Sequence, residues 1–257
     1  MRGFANGIHT APLMTVVSAS GGAGKSTIAL LCACLAARAE VKTTLLEGDL
    51  QFGDYGIWLG LDEELPDLSL GAECPPIALA DCLDLLKAPC FPEAAEQASD
   101  EIVACLPSIR STPDLVVADT GQFWNGLTAG LVCSSDLVLL IMDARRASVY
   151  GALKALELLA RVGVASARVV PVFNRYSPRC KDVFKHAQAA FAAQELFTVP
   201  DGKRTVELEL AAGKASEFLD ANGPVVQSVN LLMEELMPRM GRLYVMPQAE
   251  KREGRVR

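Results

Sequence analysis

The sequence has no Cys-x-x-Cys pair among its eight cysteines, and residues 1–13 are not expected to be a secretory leader. This excludes a zinc knuckle of the usual spacing and favours the reduced thiols of a cytoplasmic protein. Cys74, Cys82 and Cys90 follow one another at intervals of eight residues. That spacing leaves a metal or redox role as an alternative to ordinary buried or surface thiols.

Long apolar runs and an excess of basic residues are also missing. The most extended apolar runs, at 28–37 and 137–142, fall far below the roughly 20 residues that a bilayer span requires. Any membrane contact is therefore expected to be peripheral, and residues 242–246 are too short for a convincing amphipathic anchor. The net charge of −7 disfavours a broad nucleic-acid-binding surface, although it leaves room for a local basic patch.

No linker rich in Pro, Gly and Ser divides the chain. Its 257 residues, 51 % hydrophobic and 21 % charged, fit one large α/β domain with a full core. We predict a flexible leader at 1–13, a single domain at 14–246 and a charged tail at 247–257.

Short apolar segments alternate with helical patterns along the chain. Strands that are apolar on both faces and separated by helices predict a mostly parallel central sheet flanked by helices on both faces, an α/β sandwich. Ligands of such sheets bind at the carboxyl ends of the strands. The predicted strands lie near 14–18, 43–47, 115–119, 137–142, 168–173 and 196–199.

Four further segments have less regular patterns. We predict a short helical turn at 58–61, a helix at 78–87, and a helix around 225–236 that Pro238 ends or kinks. Residues 102–106 are predicted to be a strand. Only about eight residues separate it from the strand at 115, fewer than a parallel crossover requires, so it is antiparallel or not adjacent.

Residues 19–27, Ala-Ser-Gly-Gly-Ala-Gly-Lys-Ser-Thr, form the most informative segment. A strand before it and the helical segment 28–39 after it are the context of a phosphate-binding loop, and a plain Gly-rich turn would not need the Lys and Ser. Backbone N–H groups of such a loop surround phosphate oxygens, and the helix N-terminus adds donors. Lys25 is expected to reach the β- and γ-phosphates and Ser26 to bind Mg²⁺. The predicted nucleotide contacts are Gly21, Gly22, Ala23, Gly24, Lys25, Ser26 and Thr27.

Two acidic residues follow predicted strands at the same edge of the sheet. Asp49 follows the strand at 43–47, where a carboxylate can orient or deprotonate an attacking water, so Asp49 and Lys25 are the predicted catalytic residues. The alternative is a strand-ending turn with solvated acids. Asp119 ends the strand at 115–119 in the manner of a Walker B element, and is predicted to hold Mg²⁺ with Ser26.

The segments 21–26 and 49–54 carry a resemblance to a known family. Gly-Gly-x-Gly-Lys-[Ser/Thr] resembles the deviant loop of MinD/ParA-type P-loop ATPases, and Asp-Leu-Gln-Phe-Gly-Asp is similar to the CpaE/TadZ branch associated with pilus assembly. The family usually has a lysine before the glycine pair, where this chain has Ser20. It also has Asp-x-Asp where this chain has Glu47 and Asp49. The resemblance implies a P-loop ATPase domain over 14–246.

The resemblance also implies a site for the adenine base. Asn174 and Arg175 lie at a predicted strand end. This strand end resembles the one where the family places an Asn that contacts the adenine edge. An amide can donate and accept in one plane, as adenine requires. Pro200 and Asp201 resemble the loop on the other side of the base. A plain turn is the alternative for both segments.

In the family, the missing lysine reaches the partner's nucleotide across a homodimer interface. The resemblance therefore implies a nucleotide-dependent homodimer, with Ser20 as the departure from the pattern. Arg145 and Arg146 follow the strand 137–142 and are the first candidates to replace the lysine, since guanidinium groups bind phosphate. The alternative is a pair of solvated charges that open the next helix.

By resemblance, the chain is an Mg-ATP-binding localisation or assembly switch that docks a protein partner at the membrane, such as pilus or division machinery. It is expected in the cytoplasm or peripherally at the inner face of the plasma membrane. A nucleotide-binding scaffold with little or no hydrolysis and a septum-site or chromosome-partitioning ATPase are alternatives. So is a dethiobiotin-synthetase-like ligase, although the sequence shows no additional substrate cluster.

Overall fold

A computed structural model describes residues 10–61, 65–69, 74–202, 206, 208–210, 212–220 and 222–242. Most of the predicted leader, the whole predicted tail and residues 243–246 of the C-terminal segment lie outside these ranges. Within the described part of the chain, no helix is both long and apolar enough to cross a lipid bilayer.

The described strands form one mixed, mostly parallel sheet in the order β3-β4-β2-β5-β1-β6-β7-β8. Every neighbouring pair is parallel except β3 and β4, which are antiparallel. The predicted α/β sandwich is therefore confirmed. The strands are β1 (Leu13–Ser18), β2 (Thr43–Gly48), β3 (Ile77–Ala80), β4 (Leu83–Leu86), β5 (Leu115–Thr120), β6 (Leu137–Met142), β7 (Val169–Tyr176) and β8 (Phe197–Pro200).

Helices cover both faces of the sheet. The α-helices of the described residues are α1 (Lys25–Arg38), α2 (Tyr55–Trp58), α3 (Ala95–Ile109), α4 (Gly126–Ser134), α5 (Arg146–Arg161), α6 (Lys181–Ala190), α7 (Ala215–Asp220) and α8 (Pro224–Arg239). α1 and α8 pack on one face, whereas α3 and α4 share the other face with α5 and α6. The buried stripe of α8, Val225, Val229, Leu232 and Leu236, confirms the predicted helix, and Pro238 lies in its last turn.

Strand β6 shows why these segments are interior strands. Leu137, Leu139 and Ile141 pack against the α1 and α8 layer. The residues between them, Val138 and Leu140, pack against the α5 and α6 layer. Successive side chains of a strand point to opposite faces, so a strand between two helical layers needs apolar residues at every position. Continuous apolar runs in the sequence therefore gave the strand positions closely.

The predictions of a helix at 78–87 and of a strand at 102–106 were wrong. The first segment folds as β3 and β4, because residues 83–86 pair in parallel with 43–46 of β2. The second lies inside α3, where Ala98, Ile102 and Leu106 are spaced by four and buried on one face. A buried stripe at that spacing is helical. The turn predicted at 58–61 falls slightly earlier, as α2.

Candidate functional site

A cleft of about 630 Å³ lies at the carboxyl ends of the parallel strands. Its position is the usual ligand site of an open parallel sheet. Most of the predicted site residues line it, and Ala23 and Asp119 are buried behind its wall. The predicted residues that line the cleft are Gly21, Gly22, Gly24, Lys25, Ser26, Thr27, Asp49, Asn174, Arg175, Pro200 and Asp201.

The loop from Ala19 to Gly24 leads directly into α1, and the N-terminus of α1 lies at this cleft. Gly22 and Gly24 have φ values of 69° and 93°, a left-handed conformation that glycine adopts without strain. A Cβ at Gly24 would overlap the amide nitrogen of Asn174. No side chain of the described residues caps the N-terminus of α1. Its first N–H groups are therefore available to an anion in the cleft, beside the largely buried Lys25.

Asp119 lies at the end of β5 and is 2 % exposed. Burial raises its pKa to about 7, while the Ser26 hydroxyl hydrogen bond and the Lys25 charge act to lower that pKa. Its Oδ2 atom lies 3.3 Å from the Tyr55 hydroxyl. Its Oδ1 atom is buried without a hydrogen-bond partner among the described residues. A buried oxygen left short of a partner beside a serine hydroxyl fits a divalent cation that prefers oxygen ligands.

The described residues contain no group of three or more His, Cys, Asp and Glu side chains that could hold a metal ion. Mg²⁺ usually takes one or two protein oxygens and completes its shell with water and substrate phosphate. The pair of Ser26 and Asp119 matches that requirement. Its oxygens would leave most of the coordination to phosphate and water.

The acidic loop after β2 carries one carboxylate that faces the cleft and one that is buried. Asp49 lines the cleft and accepts a hydrogen bond from the Phe52 N–H group at 3.2 Å. Glu47 is buried and accepts from the N–H groups of Tyr55, at 2.9 Å, and Ala88, at 2.8 Å. Burial raises the Glu47 pKa, and these two hydrogen bonds oppose the shift. Glu47 thus joins the end of β2 to two other segments and is not a solvated acid.

Tyr55 is a site residue that the sequence analysis missed. It begins α2, is fully buried, and its hydroxyl lies 3.0 Å from the Ser26 carbonyl oxygen. Its ring meets Trp58 edge to face, with ring centroids 5.7 Å apart. Its only sequence signal is its position directly after the acidic run 49–54, which does not specify a contact with Asp119.

Asn174 contacts the phosphate loop itself. Its Nδ2 atom donates to the Ala23 carbonyl oxygen at 2.8 Å, and its Oδ1 atom accepts from the Arg175 N–H group at 2.9 Å. Arg175 has a φ of 58°, which turns the chain at the end of β7. Asn174 is therefore held against the loop that it borders. Contact of its remaining amide hydrogen and carbonyl lone pair with a base stays a prediction.

Comparison with known proteins adds a likeness of sequence and of fold. No family model matches the chain. Septum site-determining protein MinD of Thermotoga maritima is 24 % identical over 213 residues, 78 % of this chain and 73 % of MinD. The ParA family ATPase of Chlorobium tepidum has a TM-score of 0.74 at 17 % identity, covering 87 % of this chain and 99 % of that chain. MinD of Pyrococcus horikoshii, in complex with Mg-ADP, has a TM-score of 0.72 at 17 % identity, covering 88 % and 96 %.

The chain has the MinD/ParA P-loop NTPase fold. Within this fold, the loop position before the glycine pair is Ser20, whose N–H group donates to the Ser18 hydroxyl at 3.0 Å. The Ser18 hydroxyl in turn donates to the Ser20 carbonyl oxygen at 3.1 Å. Ser20 therefore takes part in a compact turn at the start of the loop and brings no charge to it.

Arg145 is the cation that lies against this MinD/ParA-type loop. Its Nη2 atom donates to the Gly21 carbonyl oxygen at 2.8 Å and lies 2.6 Å from Oδ2 of the buried Asp143. Its Nε atom donates to the same carboxylate at 2.9 Å. Arg146 is exposed and begins α5. Arg145 is therefore paired with Asp143 although its side chain is 57 % exposed, and a phosphate contact by either arginine stays a prediction.

Proposed function

We propose that this chain is an Mg-ATP-binding ATPase of the MinD/ParA type that acts as a nucleotide-dependent localisation or assembly switch. The observation that carries the proposal is the convergence of three features on one cleft. These are the uncapped N-terminus of α1, the largely buried Lys25, and Asp119 with its unpartnered oxygen. Together they offer donors and positive charge for phosphate and an oxygen for a cation.

Some residues of the cleft bind phosphate and Mg²⁺ in this proposal, and another acts in ATP hydrolysis. Loop N–H groups and Lys25 bind the phosphates, while Ser26 and Asp119 hold Mg²⁺, which neutralises phosphate charge when it is bound. Asp49 lines the same cleft and is the group that orients the attacking water. The water oxygen forms a bond to the γ-phosphorus as the bond to the ADP oxygen breaks, and Asp49 or the departing phosphate takes the water proton.

Two variants test this division. Lys25→Ala removes a charge-assisted phosphate contact and is expected to weaken ATP binding by about tenfold or more. Asp49→Ala is expected to keep ATP binding while phosphate release falls on the order of 100-fold. Fluorescent-nucleotide titration and a phosphate-release assay measure the two effects.

The exposed Lys185 and Asp182 on α6 provide matched controls as alanine variants. Unchanged ATP binding in Lys25→Ala would refute the nucleotide site. If the unmodified chain binds ATP but releases no more phosphate than Asp49→Ala, the scaffold alternative replaces the ATPase.

We further propose that the chain forms a homodimer when ATP is bound. Phe52, Phe123 and Tyr150 are 71 %, 74 % and 62 % exposed. Phe52 and Phe123 are in the loops after β2 and β5, and Tyr150 lies on α5 next to the residue that faces Ala19. Tyr and Phe are enriched at protein interfaces, so these three side chains are the candidates for the dimer surface. Arg145, anchored by Asp143, supplies positive charge at the loop of its own subunit.

For the cellular role, the segment Leu50–Asp54 favours placement of Tad-type pilus machinery, through a protein partner at the membrane. The likeness to the T. maritima MinD favours the septum-site or partitioning alternative. Retention on immobilised DNA at low ionic strength separates the partitioning role from the pilus and septum-site roles. We expect none for the pilus role, because the net charge is −7. Retention that salt reverses would favour partitioning instead.

A further inference from the structure

The Tyr55 hydroxyl is buried between two parts of the proposed Mg²⁺ site. It lies 3.0 Å from the Ser26 carbonyl oxygen and 3.3 Å from Asp119 Oδ2. Both of those groups accept, so the single phenolic hydrogen is donated to one of them at a time. The buried phenol thus connects the Ser26 backbone to the Asp119 carboxylate through one side chain.

Tyr55 is itself fixed from the side of the acidic loop. Its N–H group donates to Glu47, and the other oxygen of Glu47 accepts from the Ala88 N–H group. The Glu47 carboxylate fits there because Gly53 has no side chain, and a Cβ at that position would overlap it. Trp58 packs on the ring. The hydroxyl position is therefore set by β2, by the segment after β4 and by α2 together.

We propose that Tyr55 is a positioning residue for the Mg²⁺ site, holding Asp119 by one carboxylate oxygen so that the other stays available to the cation. This inference rests on the proposed function. The contact also connects the Asp49 loop to Ser26, because Glu47 holds Tyr55 from the same strand end. Tyr55 is not among the residues that line the cleft, so it acts through Asp119 and Ser26.

Tyr55→Phe tests the inference, since it keeps the ring and removes only the hydroxyl. The measurement is the affinity for fluorescent ADP in Mg²⁺ and in EDTA. The ratio of the two affinities reports the cation without depending on hydrolysis. We expect the Mg²⁺ enhancement to fall about tenfold, the usual effect of a lost hydrogen bond to a charged group. The affinity in EDTA should stay unchanged.

Two further variants separate positioning from general destabilisation. Tyr176→Phe, on β7, removes another phenolic hydroxyl and should leave the enhancement unchanged. Asp119→Asn should abolish most of it, and adding Tyr55→Phe to that variant should have no further effect, because the hydroxyl acts through the carboxylate. Circular dichroism and thermal unfolding verify that each variant is folded.

The outcomes separate the two proposals. If the unmodified chain fails to bind ADP in either buffer, the proposed function itself falls. If Mg²⁺ strengthens ADP binding by the unmodified chain and by Tyr55→Phe to the same extent, only the role of Tyr55 is overturned. A lower affinity of Tyr55→Phe in both buffers alike would also overturn it, since that pattern marks a general loss of loop structure.

Discussion

At the level of single residues, Glu47 and Asp119 show how two neighbouring buried carboxylates receive different tasks. They are register partners on β2 and β5, and burial raises the pKa of both. Glu47 has each of its oxygens occupied by a backbone N–H group. Asp119 keeps one oxygen without a partner among the described residues. The first is suited to holding structure, and the second is suited to binding a cation.

Gly53 provides a direct test of the Glu47 contact. A Cβ there would overlap the Glu47 carboxylate and press on Ala88, while the Gly53 φ is not in the left-handed region. Gly53→Ala should therefore lower the free energy of unfolding by ~1–3 kcal/mol, the typical cost of overpacking a close contact. Urea denaturation measures this change.

The matched control is Gly126→Ala at the start of α4. A Cβ at Gly126 meets no described atom within 4 Å, and alanine favours helix, so stability should stay the same or rise by up to ~1 kcal/mol. A Gly53→Ala variant as stable as the control would mean that the Glu47 carboxylate can move away without loss.

At the level of elements, the segments with strong local signals were predicted closely. β6 matches its prediction at 137–142. A strand that is apolar at every position is stable where helices cover both faces of the sheet. α1 was expected from 28 and begins at Lys25, directly after the phosphate loop. The loop motif and the strand before it predicted the residues of the loop that line the cleft.

The two misassigned segments depend on distant contacts. Residues 78–87 carry no Gly or Pro, so their composition favours a helix. They form strands because β4 pairs with the edge of β2, a contact between segments some 40 positions apart that no short window contains. The apolar window 102–106 was too short to show the spacing of four that begins at Ala98. Helix and strand cannot be told apart in such short apolar windows.

The same limit explains which site residues were missed. Lys25 and Ser26 belong to a motif, so their proposed roles could be predicted from spacing alone. The contact of Tyr55 with Asp119 joins positions 64 apart. Glu47 holds the Tyr55 N–H group while the Tyr55 hydroxyl lies near Asp119 at the end of β5, so the contact depends on how the segment after β2 packs. A motif gives the groups that bind a ligand, whereas the side chains that hold those groups depend on the packing of each chain.

At the level of the whole molecule, the exposed aromatic residues bear on assembly. Phe52 and Phe123 follow β2 and β5, whose carboxyl ends also position Asp49 and Asp119 beside the cleft. A partner seated on these side chains would cover the cleft. A stable interface buries about 800 Å² on each partner, so the aromatic residues would need the surrounding loops as well. We expect bound nucleotide to order the surrounding loops so that they can contribute to the interface.

The homodimer is tested by sedimentation with a non-hydrolysable ATP analogue and with Mg-ADP. We expect a dimer with the analogue, a monomer with ADP, and a dimer weakened about tenfold or more by Phe123→Ser, the usual effect of losing a central aromatic contact. Leu231→Ser is the control, because Leu231 is also apolar and is 59 % exposed, but lies on α8 and is not among the residues that line the cleft. If Phe123→Ser and Leu231→Ser weakened the dimer equally, the interface would not be the surface around the cleft. A monomer in both nucleotides would mean that, with Ser20 in the loop, Arg145 serves only its own subunit and no second copy closes over the site.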